Sequence, residues 1–129
     1  MADIEVVAGG PVTRDELVEL YGSVGWSAYT ADPDTLLRAV EGSSLVGTAR
    51  RDGRLLGLAR AISDDATICY LQDILVAPEA QRSGIGAALV RAVLDRYSGV
   101  RQKVLLTDDE PRRSCFSPRI GRSRAFNRA

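Results

Sequence analysis

The residues from Tyr70 to Leu89 constrain the fold of this chain more than any other part of its sequence. Thr67 to Val76 is dense in β-branched, aromatic and aliphatic residues and ends at Ala77-Pro78, where proline removes an amide that a sheet ladder would need. This predicts a strand. Gln81-Arg82-Ser83-Gly84-Ile85-Gly86 follows, and Ile85, Ala88, Leu89, Ala92 and Val93 then fall at i, i+3, i+4, i+7 and i+8, one face of a helix. The glycine loop therefore opens a helix, where backbone amides lack intrahelical partners and the helix dipole favours an anion. Glycines at 84 and 86 remove side chains that would hold a phosphate away, and Arg82 adds positive charge. Two glycines also suit a tight strand-to-helix turn that binds nothing. No Lys-Ser/Thr follows them as a P-loop requires, and the third glycine and downstream acid of the dinucleotide fingerprint are missing.

The 129 residues make one domain with room for a single core, and no apolar run approaches the ~18 residues of a membrane helix. The start of the chain, with Asp3 and Glu5, lacks the basic residues of a signal peptide, so a cytoplasmic setting is expected. With no histidine and only Cys69 and Cys115, the chain offers no Ser/His or Cys/His catalysis, no disulfide framework and no metal-ligand spacing. Chemistry is left to carboxylates, tyrosines, backbone and water. The zero formal charge hides an asymmetry, since six of the 17 basic residues are arginines within 112–129, where there is no acid. The body is acidic and the tail basic.

In chain order, Ile4 to Val7 reads as a first strand. Thr13-Arg14-Asp15-Glu16 is a capping-box pattern ahead of Leu17, Leu20, Tyr21 and Val24 at helical spacing. Asp32-Pro33 caps a second helix that Gly42 stops. Ser44–Arg51 and Arg54–Ile62 flank Asp52-Gly53, a dipeptide that suits a two-residue hairpin turn. With Thr67–Val76 they form an antiparallel meander, and Lys103–Thr107, reached through the helix, should pair in parallel with Thr67–Val76.

Val76-Ala77-Pro78 followed by Gln81-Arg82-Ser83-Gly84-Ile85-Gly86 resembles the acyl-CoA site of the GCN5-related N-acetyltransferases, and the resemblance extends loosely from the N-terminus to about Arg113. It implies an α/β fold of the α+β kind: one domain with a mixed, mostly antiparallel sheet flanked by helices, and a splayed parallel strand pair forming the acyl-CoA cleft. It implies that the backbone of Ile74, Leu75 and Val76 bonds the pantetheine and thioester, and that the segment Gln81, Arg82, Ser83, Gly84, Ile85, Gly86 and Ala87 holds the pyrophosphate. Acetyl-CoA is the expected cosubstrate, with no metal, and an amine is the acceptor. Asp73 is a candidate base, with Gln72 and Tyr70 as alternatives. Strict alternation would put Tyr70 and Gln72 on one face and Asp73 on the other. Trp26 and Tyr29 either wall the acceptor pocket or pack at a helix edge.

The resemblance weakens after residue 111, which divides an acyl-CoA-binding core at 1–111 from an atypical basic tail at 112–129. Ser117 stands where the family carries the tyrosine that protonates the departing thiolate, a much weaker acid, and Pro118 would interrupt the helix expected there. The rival reading is a CoA-binding module of the same fold with weak or no transfer activity. The arginines of the tail also suit a nucleic-acid backbone, although aromatic interleaving stops at Phe116 and Phe126. No hydrophobic strand is expected in 122–129, which would leave Lys103–Thr107 as an open edge and predicts a homodimer that covers it.

Overall fold

A computed structural model describes residues 3–105 and the strand Arg124–Asn127. In chain order the elements are β1 (Glu5–Ala8), α1 (Arg14–Ser23), α2 (Ser27–Thr30), α3 (Pro33–Glu41), β2 (Leu45–Arg51), β3 (Arg54–Ser63), β4 (Ile68–Val76), a 3-10 turn (Pro78–Ala80), α4 (Ile85–Arg96), β5 (Gln102–Leu105) and β6 (Arg124–Asn127). Among the described residues the strands form one sheet in sequence order, antiparallel except for the parallel β4–β5 pair. The expected mixed sheet with its one parallel pair is therefore present.

Local signals fix most of the boundaries. The Thr13 hydroxyl accepts the Glu16 amide at 3.1 Å while the Glu16 carboxylate accepts the Thr13 amide at 3.0 Å, closing the capping box of α1. Asp32 caps α3 by accepting the Thr35 amide at 3.2 Å. At the β2–β3 turn Asp52 and Gly53 both take positive φ, 53° and 81°, the combination a tight hairpin demands. The single-turn helix α2 is an addition to the two helices expected before β2.

Helices α1–α3 cover one face of the sheet and α4 the other. The first contact is pinned by Arg50 of β2, whose guanidinium bonds Glu16 of α1 at 2.6 and 3.1 Å. The second depends on two glycines. A Cβ at Gly47 would come within 3.0 Å of Val93, and one at Gly57 within 3.0 Å of Leu89 and 3.2 Å of Ile85, so both strands lie too close to α4 for a side chain. Gly57→Val should therefore cost about 1–3 kcal/mol, read as a lower denaturant midpoint with an unchanged slope. An unaltered midpoint would mean that α4 does not lie this close to β3.

Two registers are irregular. In β3–β4, Arg60 faces Asp73 while Ala61 faces Leu71, so Gln72 is an extra residue bulged out of β4. In β2–β3, Ala49 faces Gly57 while Arg50 faces Leu55, making Leu56 the extra residue of β3.

The C-terminal expectation requires correction. Gln102↔Asn127 through Leu105↔Arg124 form an antiparallel ladder, so a strand does exist within 122–129 and covers the edge of β5. Ladder bonds are made by main-chain groups, and a free edge can recruit a segment without a hydrophobic pattern. The argument for a dimer built on an open β5 edge loses its premise. Cys115, Phe116, Ser117 and Pro118, where the family pattern breaks down, lie outside the described residues.

Candidate acyl-CoA site

β4 runs from the parallel pair to the glycine loop. Among the described residues its ladder with β5 runs from Ile68↔Gln102 to Leu71↔Leu105, and β4 itself reaches Val76. Past Val76 the chain is held by its own side chains. The Gln81 amide donates to the Val76 carbonyl at 2.9 Å, and the Ser83 hydroxyl donates to the Ala80 carbonyl. Gln81 and Ser83, predicted as ligand-binding residues, thus shape the loop with their side chains. Arg82 and Gly84 take left-handed φ values of 68° and 85°, turning the chain into α4. The first intrahelical bond of α4 that reaches back into the loop runs from the Ala88 amide to the Gly84 carbonyl at 3.0 Å, which leaves the amides of Ile85, Gly86 and Ala87 ahead of it without helical acceptors. A Cβ at Gly84 would meet nothing within 4 Å among the described residues, so as far as they reach the space beside these amides is open. The Ile85 side chain is buried against Gly57, so only its main chain could face a ligand. This cradle suits a diphosphate ester such as CoA.

On the opposite face, Asp73 is only 3% exposed and its carboxylate is fully engaged. Oδ2 accepts Arg60 Nε at 2.6 Å and the Tyr21 hydroxyl at 2.9 Å, and Oδ1 accepts the Tyr29 hydroxyl at 3.2 Å. Arg60 continues the network to the Ser43 hydroxyl at 3.2 Å. Burial, followed by the neighbouring Asp73 charge, pushes both phenols above their ordinary range, so both remain protonated donors. Tyr21, Trp26 and Tyr29 form a ring cluster with centroids 5.1–5.9 Å apart. Trp26 Nε1 is buried with no acceptor among the described residues.

The bulge at Gln72 overturns the expected alternation of candidate residues. Tyr70 faces Ile62 and Asp73 faces Arg60, and residues 60 and 62 lie on one face of β3. Tyr70 therefore shares a face with Asp73, three residues away, and not with Gln72. Tyr70 and Ile62 are each 40% exposed, whereas Asp73 is enclosed by α1, α2 and β3. The structure brings Trp26, Tyr29 and Asp73 together and leaves Tyr70 at the open margin of that face. Arg60 and Tyr21 were not singled out from the sequence, although a lone arginine in the apolar run Leu55–Ile62 is the natural counterpart of a lone aspartate in Thr67–Val76.

Comparison with known proteins agrees with this architecture. The family model for the acetyltransferase (GNAT) family matches residues 13–116, and the chain belongs to that family. A 57-residue stretch is 44% identical to GCN5-related N-acetyltransferase 2, chloroplastic, of Arabidopsis thaliana, covering 41% of this chain and 22% of that protein. The match thus spans under a quarter of the length of that relative. A GNAT family acetyltransferase from Streptococcus pneumoniae superposes with a TM-score of 0.72 at 26% identity, covering 85% of this chain and 80% of its own. A GNAT family acetyltransferase from Elizabethkingia anophelis, solved with acetyl-CoA bound, shares the fold with a TM-score of 0.58 at 20% identity, over 82% of this chain and 66% of its own.

Proposed function

We propose that this chain is an N-acetyltransferase that moves an acetyl group from acetyl-CoA to a primary amine of a small molecule or protein by direct attack, in a cytoplasmic setting. The observation that carries the reading is the N-terminus of α4 beside Gly84, open among the described residues and set at the end of β4, the strand that pairs in parallel with β5. Successive residues of a strand in an antiparallel ladder face alternately toward and away from their partner, so part of the Asp73–Val76 backbone is directed to the β5 side, where the pantetheine arm would lie. When the thioester is bound there, the amine nitrogen attacks its carbonyl carbon, the C–N bond forms and the C–S bond breaks. CoA leaves as the thiolate.

Asp73 does not suit the base in this scheme. Its carboxylate is buried, ion-paired with Arg60 and already accepts hydrogen bonds from two phenols, so both oxygens are occupied by the fold and turned away from an incoming amine. Water at the open side of the cleft accepts the ammonium proton instead, and Asp73 positions Tyr29 and the ring cluster that walls the acceptor. The unpartnered Trp26 N–H offers that acceptor a hydrogen bond. Tyr70, exposed on the same face, lines its margin.

Mixing the protein with acetyl-CoA and a panel of amines, while following free thiol and acylated amine together, tests the proposal. Amine-dependent thiol release with matching N-acetylated product is expected. Binding of acetyl-CoA without any product would favour the alternative, a CoA-binding module of the same fold.

A further inference from the structure

One arginine of the β2–β3 hairpin is left without a role by the fold. Arg50 is paired with Glu16, Arg54 with Glu79 at 2.8 Å and Glu19 at 3.4 Å, and Arg60 with Asp73. The Arg51 side chain makes no hydrogen bond or ion pair among the described residues, and its Nε is buried without an acceptor among them. A donor taken out of water and given nothing in return carries its whole desolvation penalty, which is tolerable where a ligand supplies the missing acceptor.

The register places Arg51 beside the acyl-CoA loop. The extra residue of the β2–β3 irregularity belongs to β3, so alternation along β2 is intact, and Gly47, Ala49 and Arg51 share the face that α4 covers. Arg50, between them, points to Glu16 on the other side. Position 47 meets Val93 and Leu89, and Gly57, which pairs with Ala49, meets Leu89 and Ile85. Each two-residue step along β2 therefore moves back one turn of α4. The next step, to Arg51, reaches the turn before Ile85, where Arg82, Ser83 and Gly84 lead into the helix. Arg54, paired with Arg51 at the turn, reaches both Glu79 in the 3-10 turn that feeds the same loop and Glu19 of α1, so this end of the hairpin lies near the start of that turn.

We infer that Arg51 is a further ligand-binding residue, its guanidinium contacting the pyrophosphate of acyl-CoA alongside the amides of α4. This rests on the acyl-CoA reading of the loop. A guanidinium presents paired donors suited to phosphate oxygens, and the charge that the fold leaves unpaired is thereby matched.

The test compares wild type with Arg51→Gln and Arg51→Lys for binding of acetyl-CoA, acetyl-dephospho-CoA and S-acetylpantetheine, using calorimetry for the nucleotides and ligand-observed NMR for the last. Arg51→Gln should weaken acetyl-CoA and acetyl-dephospho-CoA alike by about tenfold or more, leave S-acetylpantetheine unchanged, and keep the ligand-free melting temperature. Arg51→Lys should recover part of the loss. Unchanged acetyl-CoA affinity in Arg51→Gln overturns the inference, as does an equal loss with S-acetylpantetheine. A loss that vanishes with the dephospho ligand would assign Arg51 to the 3′-phosphate and also overturns it. If wild type itself binds none of the three, the acyl-CoA reading fails and not Arg51 alone.

Discussion

Asp73→Ala should lower stability by about 3–5 kcal/mol, because removing one partner of a buried ion pair leaves the other charge without compensation. Arg60 is only 7% exposed, and losing Asp73 would leave its Nε with no carboxylate and the Tyr21 hydroxyl with no acceptor. Since a domain of this size is stable by only about 5–15 kcal/mol, the loss would appear as a fall of at least ten degrees or so in melting temperature. The double replacement Arg60→Met with Asp73→Leu should recover much of that stability, since apolar groups of similar volume need no partner. Denaturant unfolding of the three proteins decides the matter. If Asp73→Ala retained wild-type stability while abolishing acetyl transfer, Asp73 would be a catalytic group and its structural assignment would be wrong.

Gly84→Glu should abolish acetyl-CoA binding, with a loss of a hundredfold or more, and leave the fold largely intact. Gly84 sits at φ 85°, so any side chain pays for the left-handed conformation, about 1–2 kcal/mol. The carboxylate itself is well placed for the fold, because an acid at a helix N-terminus satisfies orphan amides and the dipole. That same placement occupies the position of the phosphates and repels what remains of their charge. Gly84→Ala separates the two effects. It shares the backbone strain but carries no charge, and no described residue lies within 4 Å of its Cβ, so its binding should fall far less.

Features fixed by neighbours in sequence were legible before the structure. The Thr13–Glu16 capping box, the Asp32 cap, the Asp52-Gly53 turn and the glycine loop at 84–86 each depend on a few consecutive residues whose chemistry admits one local geometry. Features that depend on register were not. The Gln72 bulge changes which residues share a face of β4, and nothing within Thr67–Val76 marks it, because a bulge is defined by the strand opposite. The role of Asp73 follows from that register, since only the pairing of β3 with β4 sets Arg60 against it. The same holds for Arg51, whose position comes from counting along β2 against the turns of α4. The strand Arg124–Asn127 was missed because it joins the sheet through backbone pairing, with no alternation to announce it.

The central claim, that the loop from Arg82 to Ala87 binds the pyrophosphate of acetyl-CoA, is tested most directly by calorimetric titration of acetyl-CoA into the wild-type, Gly84→Ala and Gly84→Glu proteins, each first shown to be folded by its unfolding transition. Saturable one-site binding to wild type, modest weakening in Gly84→Ala and no measurable heat of binding in Gly84→Glu is the predicted result. Wild-type affinity in a folded Gly84→Glu protein would contradict the account and place acetyl-CoA elsewhere on the chain.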